Sequence, residues 1–318
     1  MNRRTFTLEI AGRKVRLGER TLVMGVLNAT PDSFSDGGLY LQPGAAVERG
    51  LQMARQGADW IDVGGESTRP GSKPVAAAEE LARVLPVIRG LHRRAPDLVI
   101  SIDTTKAEVA REAVRAGAAM INDVSGLRFD PALAEVARRE RKPLVLMHLR
   151  GRPETMQQGP FARSIARSLG RGLAWSIRQA LERGVRRSQL LLDPGLGFGK
   201  TRRQNFEILA SLGRLRRFGL PLVVGSSRKS FVQAVAAGEG LEAVGREPGT
   251  MAPWKLTAAA VRSRKEPPLA LLVGDAAAVA AAVLGGAHVV RVHNVEAALP
   301  AVRIADAVLA ARKGRTAK

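Results

Sequence analysis

The chain has no cysteine. Disulfides, thiolate nucleophiles and Cys-ligated metals are thereby excluded, and the composition suits a cytoplasmic protein. Aromatic residues make up only 4% of the chain, too few for a platform on which nucleic-acid bases stack. No apolar run reaches membrane-spanning length. The basic start Met1-Asn2-Arg3-Arg4 leads into no signal region, because Glu9 and Arg13 interrupt the apolar residues that follow. Acidic residues are also short in number, 29 against 50 Lys and Arg, for a net charge of +21. That balance fits nucleic acid, anionic lipid or small anionic substrates. The arginines are spread along the chain (Arg111, Arg139, Arg186 and Arg217 among them) instead of gathered in one arm. They read as a solvated surface, and small molecules remain as the expected partners, without nucleic acid or membrane.

What is present is a large core and a repeated pattern. With 318 residues, 45% of them hydrophobic, the chain can bury a sizeable interior. Short apolar or β-branched runs recur at 22–27, 60–63, 98–102, 119–121, 144–147, 190–192, 222–224 and 288–292. Helical patterns lie between them, at 45–56, 76–93, 106–116, 131–139, 164–183, 205–217 and 276–284. Strands that are apolar on both faces belong to a parallel sheet covered by helices. Eight such units predict an α/β protein with a single (β/α)8 TIM barrel over 19–318. Ahead of it, residues 1–18 alternate around Gly12 and predict a β-hairpin that plugs the barrel floor.

A TIM barrel carries its chemistry just after the C-terminal ends of its strands. In this sequence those ends are polar throughout: Asn28, then "GGESTRPG" at 64–71, Asp103, Asn122, His148, Asp193, "GSSRKS" at 225–230, and "RVHN" at 291–294. Each has a plainer explanation taken alone. Asp103 before Thr104-Thr105 suits a helix cap, Asp193-Pro194-Gly195 a turn, Lys229 a solvated lysine and His148 a core-edge histidine. Coincidence on all eight strands favours a common site. Asp103, Asn122 and Asp193 offer acceptors to a flat heterocycle with an amino-pyrimidine edge, and Lys229 offers a donor. Thr68, Arg69, Arg291 and His293 suit a phosphate or diphosphate. Asn28 is an oxygen ligand of the kind Mg²⁺ takes when it shares phosphate oxygens. The helix start at Ser230 suits a carboxylate.

The motifs "GVLNATPDSFSDGG", "GADWIDVGGESTRPGS", "SIDTTKAEVA", "INDVSG", "LMHLRGRPETMQ", "DPGLGFGK", "SSRKSF" and "RVHNV", in order over about residues 20 to 310, resemble the dihydropteroate synthase family of pterin-binding enzymes. The resemblance implies a transferase of folate biosynthesis and a sulfonamide target, joining 6-hydroxymethyl-7,8-dihydropterin diphosphate to p-aminobenzoate with release of pyrophosphate. It implies that Asp103, Asn122, Asp193, Lys229 and Arg291 hold the pterin. Asn28, Thr68, Arg69, Arg291 and His293 would hold the Mg²⁺-diphosphate, with Asn28 on the metal. Phe34, Pro70, Phe198 and Ser230 would hold p-aminobenzoate, and the chain would form a homodimer. Asp103, Lys229 and Asn28 would act in the chemistry. Residues 29–38, with Asp32, Phe34 and the Gly37-Gly38 pair, read as a loop that closes over the mouth and excludes water. Three features depart from the family pattern: extra chain at about 251–273, Asn294 where an Asp is usual, and a basic charge, +21, higher than the family leads one to expect. The competing readings are a corrinoid-type methyltransferase barrel, which needs no diphosphate group, and a non-catalytic paralogue of the same fold.

Overall fold

Alternating apolar residues open the chain as an antiparallel hairpin, β1 (Phe6–Ile10) and β2 (Arg13–Leu17), with Phe6 paired to Leu17 and Ile10 to Arg13. The turn takes left-handed backbone at Ala11 and Gly12, φ 50° and 71°, the hairpin geometry that agrees with strand twist. In this computed structural model, residues 3–30, 43–241 and 269–314 are described.

Eight parallel strands follow: β3 (Leu22–Asn28), β4 (Trp60–Gly64), β5 (Val99–Asp103), β6 (Met120–Asp123), β7 (Leu144–Met147), β8 (Leu190–Asp193), β9 (Val223–Val224) and β10 (Val289–Val292). They pair in the order β8-β7-β6-β5-β4-β3-β10-β9. A parallel bridge between Leu192 and Leu222 joins the two ends, so the sheet closes into the predicted barrel. Around it run α1 (Pro43–Arg55), α2 (Ala77–Arg94), α3 (Ala107–Arg115), α4 (Leu133–Arg139), α5 (Ile165–Glu182), α6 (Arg202–Ala210), α7 (Ser230–Ala236), α8 (Leu269–Leu284) and α9 (Val295–Gly314).

Side chains alternate across each strand, and the alternation sorts the barrel into layers. Outward residues such as Ile61, Val63, Ile100, Ile102 and Val290 pack with the helices. Inward residues at the strand starts, Met24, Trp60, Val99, Met120, Val145, Leu191, Val223 and Val289, form a second cluster with Leu8, Ile10 and Leu17 of the hairpin. The hairpin therefore closes the floor, as its pattern predicts. Two residues further along, the inward position is polar on five of the eight strands: Asp62, Ser101, Asn122, Asp193 and Arg291. The interior is oil at the floor and ionic at the mouth.

Two helices differ from the sequence reading. The expected helix over 205–217 is divided into α6 and a 3₁₀ segment, Leu212–Phe218. Its true start is marked by a capping box, in which the Thr201 side chain accepts from the Gln204 amide. The expected helix over 276–284 begins earlier, at Leu269, so the last five residues of the suggested insertion form the first turn of α8. The remainder of that insertion, and the loop carrying Asp32, Phe34, Gly37 and Gly38, lie outside the described residues.

Candidate active site

The polar layer of the mouth is built around Arg291. Its Nε donates to Asp62 Oδ2 at 2.6 Å, and its Nη2 to Asp103 Oδ2 at 2.6 Å. Asn122 Nδ2 donates to the same Asp62 oxygen at 2.9 Å. Burial works against the Arg291 charge, yet Asp62 and Asp103 hold the guanidinium above its usual range. Burial also pushes Asp103 up to about 7, against the pull of Arg291 and with the repulsion of Asp62. Asp103 is not the cap of α3: Lys106 occupies that position, and the Asp103 side chain faces Arg291.

Across the barrel, Asp193 accepts from the Gly195 amide at 2.7 Å, so it both shapes the turn and faces the mouth. Burial raises its pKa, with the Gly195 bond and the Lys229 charge opposing. Lys229 is half-buried, with its ammonium 4.2 Å from the centroid of the Phe198 ring. Burial, and then the repulsion of Arg291, bring it down to about 8. Phe198 is itself buried, packed with Met147, Leu149 and Met156. At the mouth Gly64 lies between Asn28 and Asp103, where an added Cβ would stand in contact with both, 3.5 Å from Asp103 Cβ and 3.8 Å from Asn28 Oδ1.

A cationic corner adjoins these groups. The His293 amide donates to Ser227 Oγ at 3.3 Å, and Ser227 Oγ donates to Asp275 of α8 at 3.0 Å. Asp275 also accepts from the Arg228 amide at 2.9 Å. Arg228 stands at φ 54°, a left-handed conformation uncommon for a residue with a Cβ. Burial lowers the His293 pKa well below the usual histidine range, and the charges of Arg228, Arg291, Lys229 and Arg69 lower it further. Cations gathered around an uncharged imidazole form a corner suited to a multiply charged anion. Arg69 and Pro70 are exposed on the loop after β4, and Thr68 is half-buried beside them. Thr68 lines a cavity of about 230 Å³ with Glu66, Asp103, Lys106, Phe129 and Arg152. Ser230 opens α7 and is exposed.

Residues 24–293 match the pterin binding enzyme family. Dihydropteroate synthase of Synechocystis is 42% identical over 291 residues, covering 92% of this chain and 91% of that protein. The chain belongs to the dihydropteroate synthase family. Among solved structures of this family, the Xanthomonas albilineans enzyme with 4-aminobenzoic acid shares 39% identity at a TM-score of 0.79, covering 96% of this chain and 98% of that one. The same enzyme in complex with 7,8-dihydropteroate shares 37% identity at a TM-score of 0.76, covering 95% of this chain and 98% of that one.

Of the residues expected from the sequence, the fold brings Asp103, Asn122, Asp193, Lys229, Arg291 and His293 to one mouth, with Asn28, Thr68, Arg69, Pro70, Phe198 and Ser230 on its strand ends and loops. Phe34 lies outside the described residues. His148 is the core-edge histidine of the plainer reading: it is buried, and burial drives its pKa far down. Glu66 pairs with Lys106, which donates to Glu80 at 2.6 Å. Three participants escaped the sequence reading. Asp62 sat inside what reads as an apolar run, although an acid within a strand buried on both faces is itself a signal. Lys200 is buried and donates to the carbonyls of His148, Gly195 and Phe198 at 3.0, 2.6 and 2.9 Å. Burial brings it down to about 7. Asp275 belongs to "GDAA" at 274–277, which lies inside α8 and not at its opening, and its bonds to Ser227 and Arg228 tie α8 to the turn after β9. The similar stretch "GTMA" at 249–252 lies outside the described residues.

Proposed function

We propose that the chain is a transferase that joins 6-hydroxymethyl-7,8-dihydropterin diphosphate to p-aminobenzoate, giving 7,8-dihydropteroate and pyrophosphate. The observation that carries this reading is the contiguity of two unlike sites in one mouth: buried acceptors around Asp103, Asn122 and Asp193, and the cationic corner of Arg69, Arg228, Lys229 and Arg291 around the uncharged His293 imidazole. A heterocycle bearing a diphosphate fits both at once. A corrinoid-type methyltransferase would leave the cationic corner without a role.

In this reading Asp103, Asn122 and Asp193 accept from the ring, Lys229 donates to it, and Arg291 lies against it. Thr68, Arg69 and His293 take the diphosphate. Ser230 and the start of α7 take the carboxylate of p-aminobenzoate, with Pro70, Phe198 and Phe34 along its ring. The methylene–oxygen bond breaks, its electron pair leaves with the diphosphate, and the aniline nitrogen forms the new bond to carbon and releases its proton to solvent. The cationic corner stabilises the growing charge on the leaving group, and the Asp103 carboxylate the positive charge on the pterin. The aniline is already a nucleophile at neutral pH, so holding it in place matters more than a strong base. Asn28 ends β3 at the mouth and offers an amide oxygen there, and an ion carried by phosphates needs few protein oxygens, so this residue suits Mg²⁺. When bound, it would neutralise diphosphate charge.

We also propose a homodimer working in the cytoplasm. No helix among the described residues is long and apolar enough to cross a membrane. Leu269, Val273 and Leu284 on α8 and Ile304 and Val308 on α9 are exposed, an apolar face that a second copy would cover. The test of the activity is pyrophosphate release with both substrates and Mg²⁺, each omitted in turn. Release coupled to dihydropteroate, and lost without the pterin diphosphate, is expected. Full components with no dihydropteroate formed would overturn the reading.

A further inference from the structure

Asp62 lies in mid-strand on β4, fully buried, between two groups assigned to the pterin. Its Oδ2 accepts from Asn122 at 2.9 Å and from Arg291 at 2.6 Å, while Oδ1 has no partner among the described residues. A carboxylate accepts and cannot donate, so Asn122 must turn its NH₂ end toward Asp62. The amide oxygen of Asn122 is then the end left for the mouth. Among the described residues, the bond to Asp62 is what fixes which end of the amide faces β4.

We infer that Asp62 is a positioning and specificity-determining residue: by orienting the Asn122 amide and anchoring Arg291, it makes the mouth select a heterocycle with a 2-amino donor over a 2-oxo isostere. This rests on the pterin reading above and deepens it. A fixed acceptor rejects an analogue that presents another acceptor, because the buried oxygen is left unpaired. Arg291 has Asp103 as a second anchor. When Asp103 turns to the ligand, Asp62 remains as the counter-ion that keeps the guanidinium beside the ring.

The test uses the full chain, Mg²⁺ and two unreactive probes, oxidised 6-hydroxymethylpterin diphosphate and its 2-oxo counterpart, with dissociation constants from calorimetry. The native chain should prefer the 2-amino probe by more than roughly tenfold, as one lost hydrogen bond in a buried site requires. Asp62→Asn keeps the shape, but its amide can donate as well as accept and so permits the flipped Asn122. The preference should fall by roughly tenfold or more, with a melting temperature near that of the native chain. Asp62→Ser, whose hydroxyl can also donate, is the second variant should the first not fold. A folded variant that keeps the native preference overturns the inference, and so does a native chain that binds both probes equally. A merely structural Asp62 would change stability and leave the ratio alone. Should the native chain bind neither probe and form no dihydropteroate, it is the proposed activity that fails.

Discussion

Each charged residue in the mouth owes its role to the neighbour that burial forces upon it. Asp103 and Lys229 carry the clearest consequence. Asp103 must be ionised to accept, and its pKa stands at about 7, so activity rises as pH climbs through that value. Lys229 must be protonated to donate, and its pKa stands at about 8, so activity falls as pH climbs beyond it. The dependence of kcat/KM on pH is therefore expected to be a narrow bell with its maximum between these limits. Asp103→Asn should lower the rate and remove the acidic limb; a native profile flat from pH 6 to 9 would contradict both assignments. Asp193→Ala should weaken binding of the pterin diphosphate by about 2–4 kcal/mol, the scale for losing a charged partner in a buried site. Titration calorimetry reads it directly, and unchanged affinity would remove Asp193 from the ring.

At the scale of elements, chemistry at one strand end is held by helices distant in sequence. Asp275 on α8 secures the turn after β9 through the Ser227 hydroxyl and the Arg228 amide. Asp275→Ala should release that turn and weaken pyrophosphate binding about tenfold, the scale of a lost charged hydrogen bond. Binding of unphosphorylated hydroxymethylpterin should hold, and calorimetry with the two ligands separates the effects. The hairpin makes the opposite case. Leu8 is buried against the floor cluster, remote from the polar layer. Leu8→Ala should cost about 2–5 kcal/mol of stability, as core truncations do, while leaving KM for both substrates near native. Urea unfolding supplies the stability and steady-state kinetics the rest. The strands were legible because a barrel strand is an apolar run between turns. The division of the helix over 205–217 was not, because Ser211 and Gly213 weaken a helix without ending it, and packing settles where it stops.

For the whole molecule, the net charge of +21 and the apolar face of α8 and α9 pull in different directions. Many of the cations are paired at the surface, as Arg55 is with Glu48 at 2.8 Å and Arg203 with Glu207 at 3.2 Å. Such exposed pairs contribute little to stability. Desolvation of Leu269, Val273, Ile304 and Val308 favours association, and self-repulsion opposes it. A dimer that weakens at low ionic strength is therefore expected. Light scattering should give twice the chain mass at micromolar concentration in moderate salt, and Ile304→Asp should give the monomer. A monomer for the native chain at every salt concentration would show that the face has another use.

The residue types of the mouth and the eight-strand repeat follow from local sequence, because strand ends, turns and apolar runs are set by neighbours along the chain. That is why Asp103, Asn122, Asp193 and Lys229 were readable as a group. Which inward positions share a layer was decided by register around the closed barrel, which sets Asp62 of β4 beside Asn122 of β6 and Arg291 of β10. Sequence spacing carries no trace of such pairings: Asp62 and Arg291 are 229 residues apart, and Arg228 and Asp275 are 47 apart. The protonation states belong to the tertiary structure for the same reason, since a carboxylate is raised by the water it loses and the charges it meets, and both are settled only when the barrel closes.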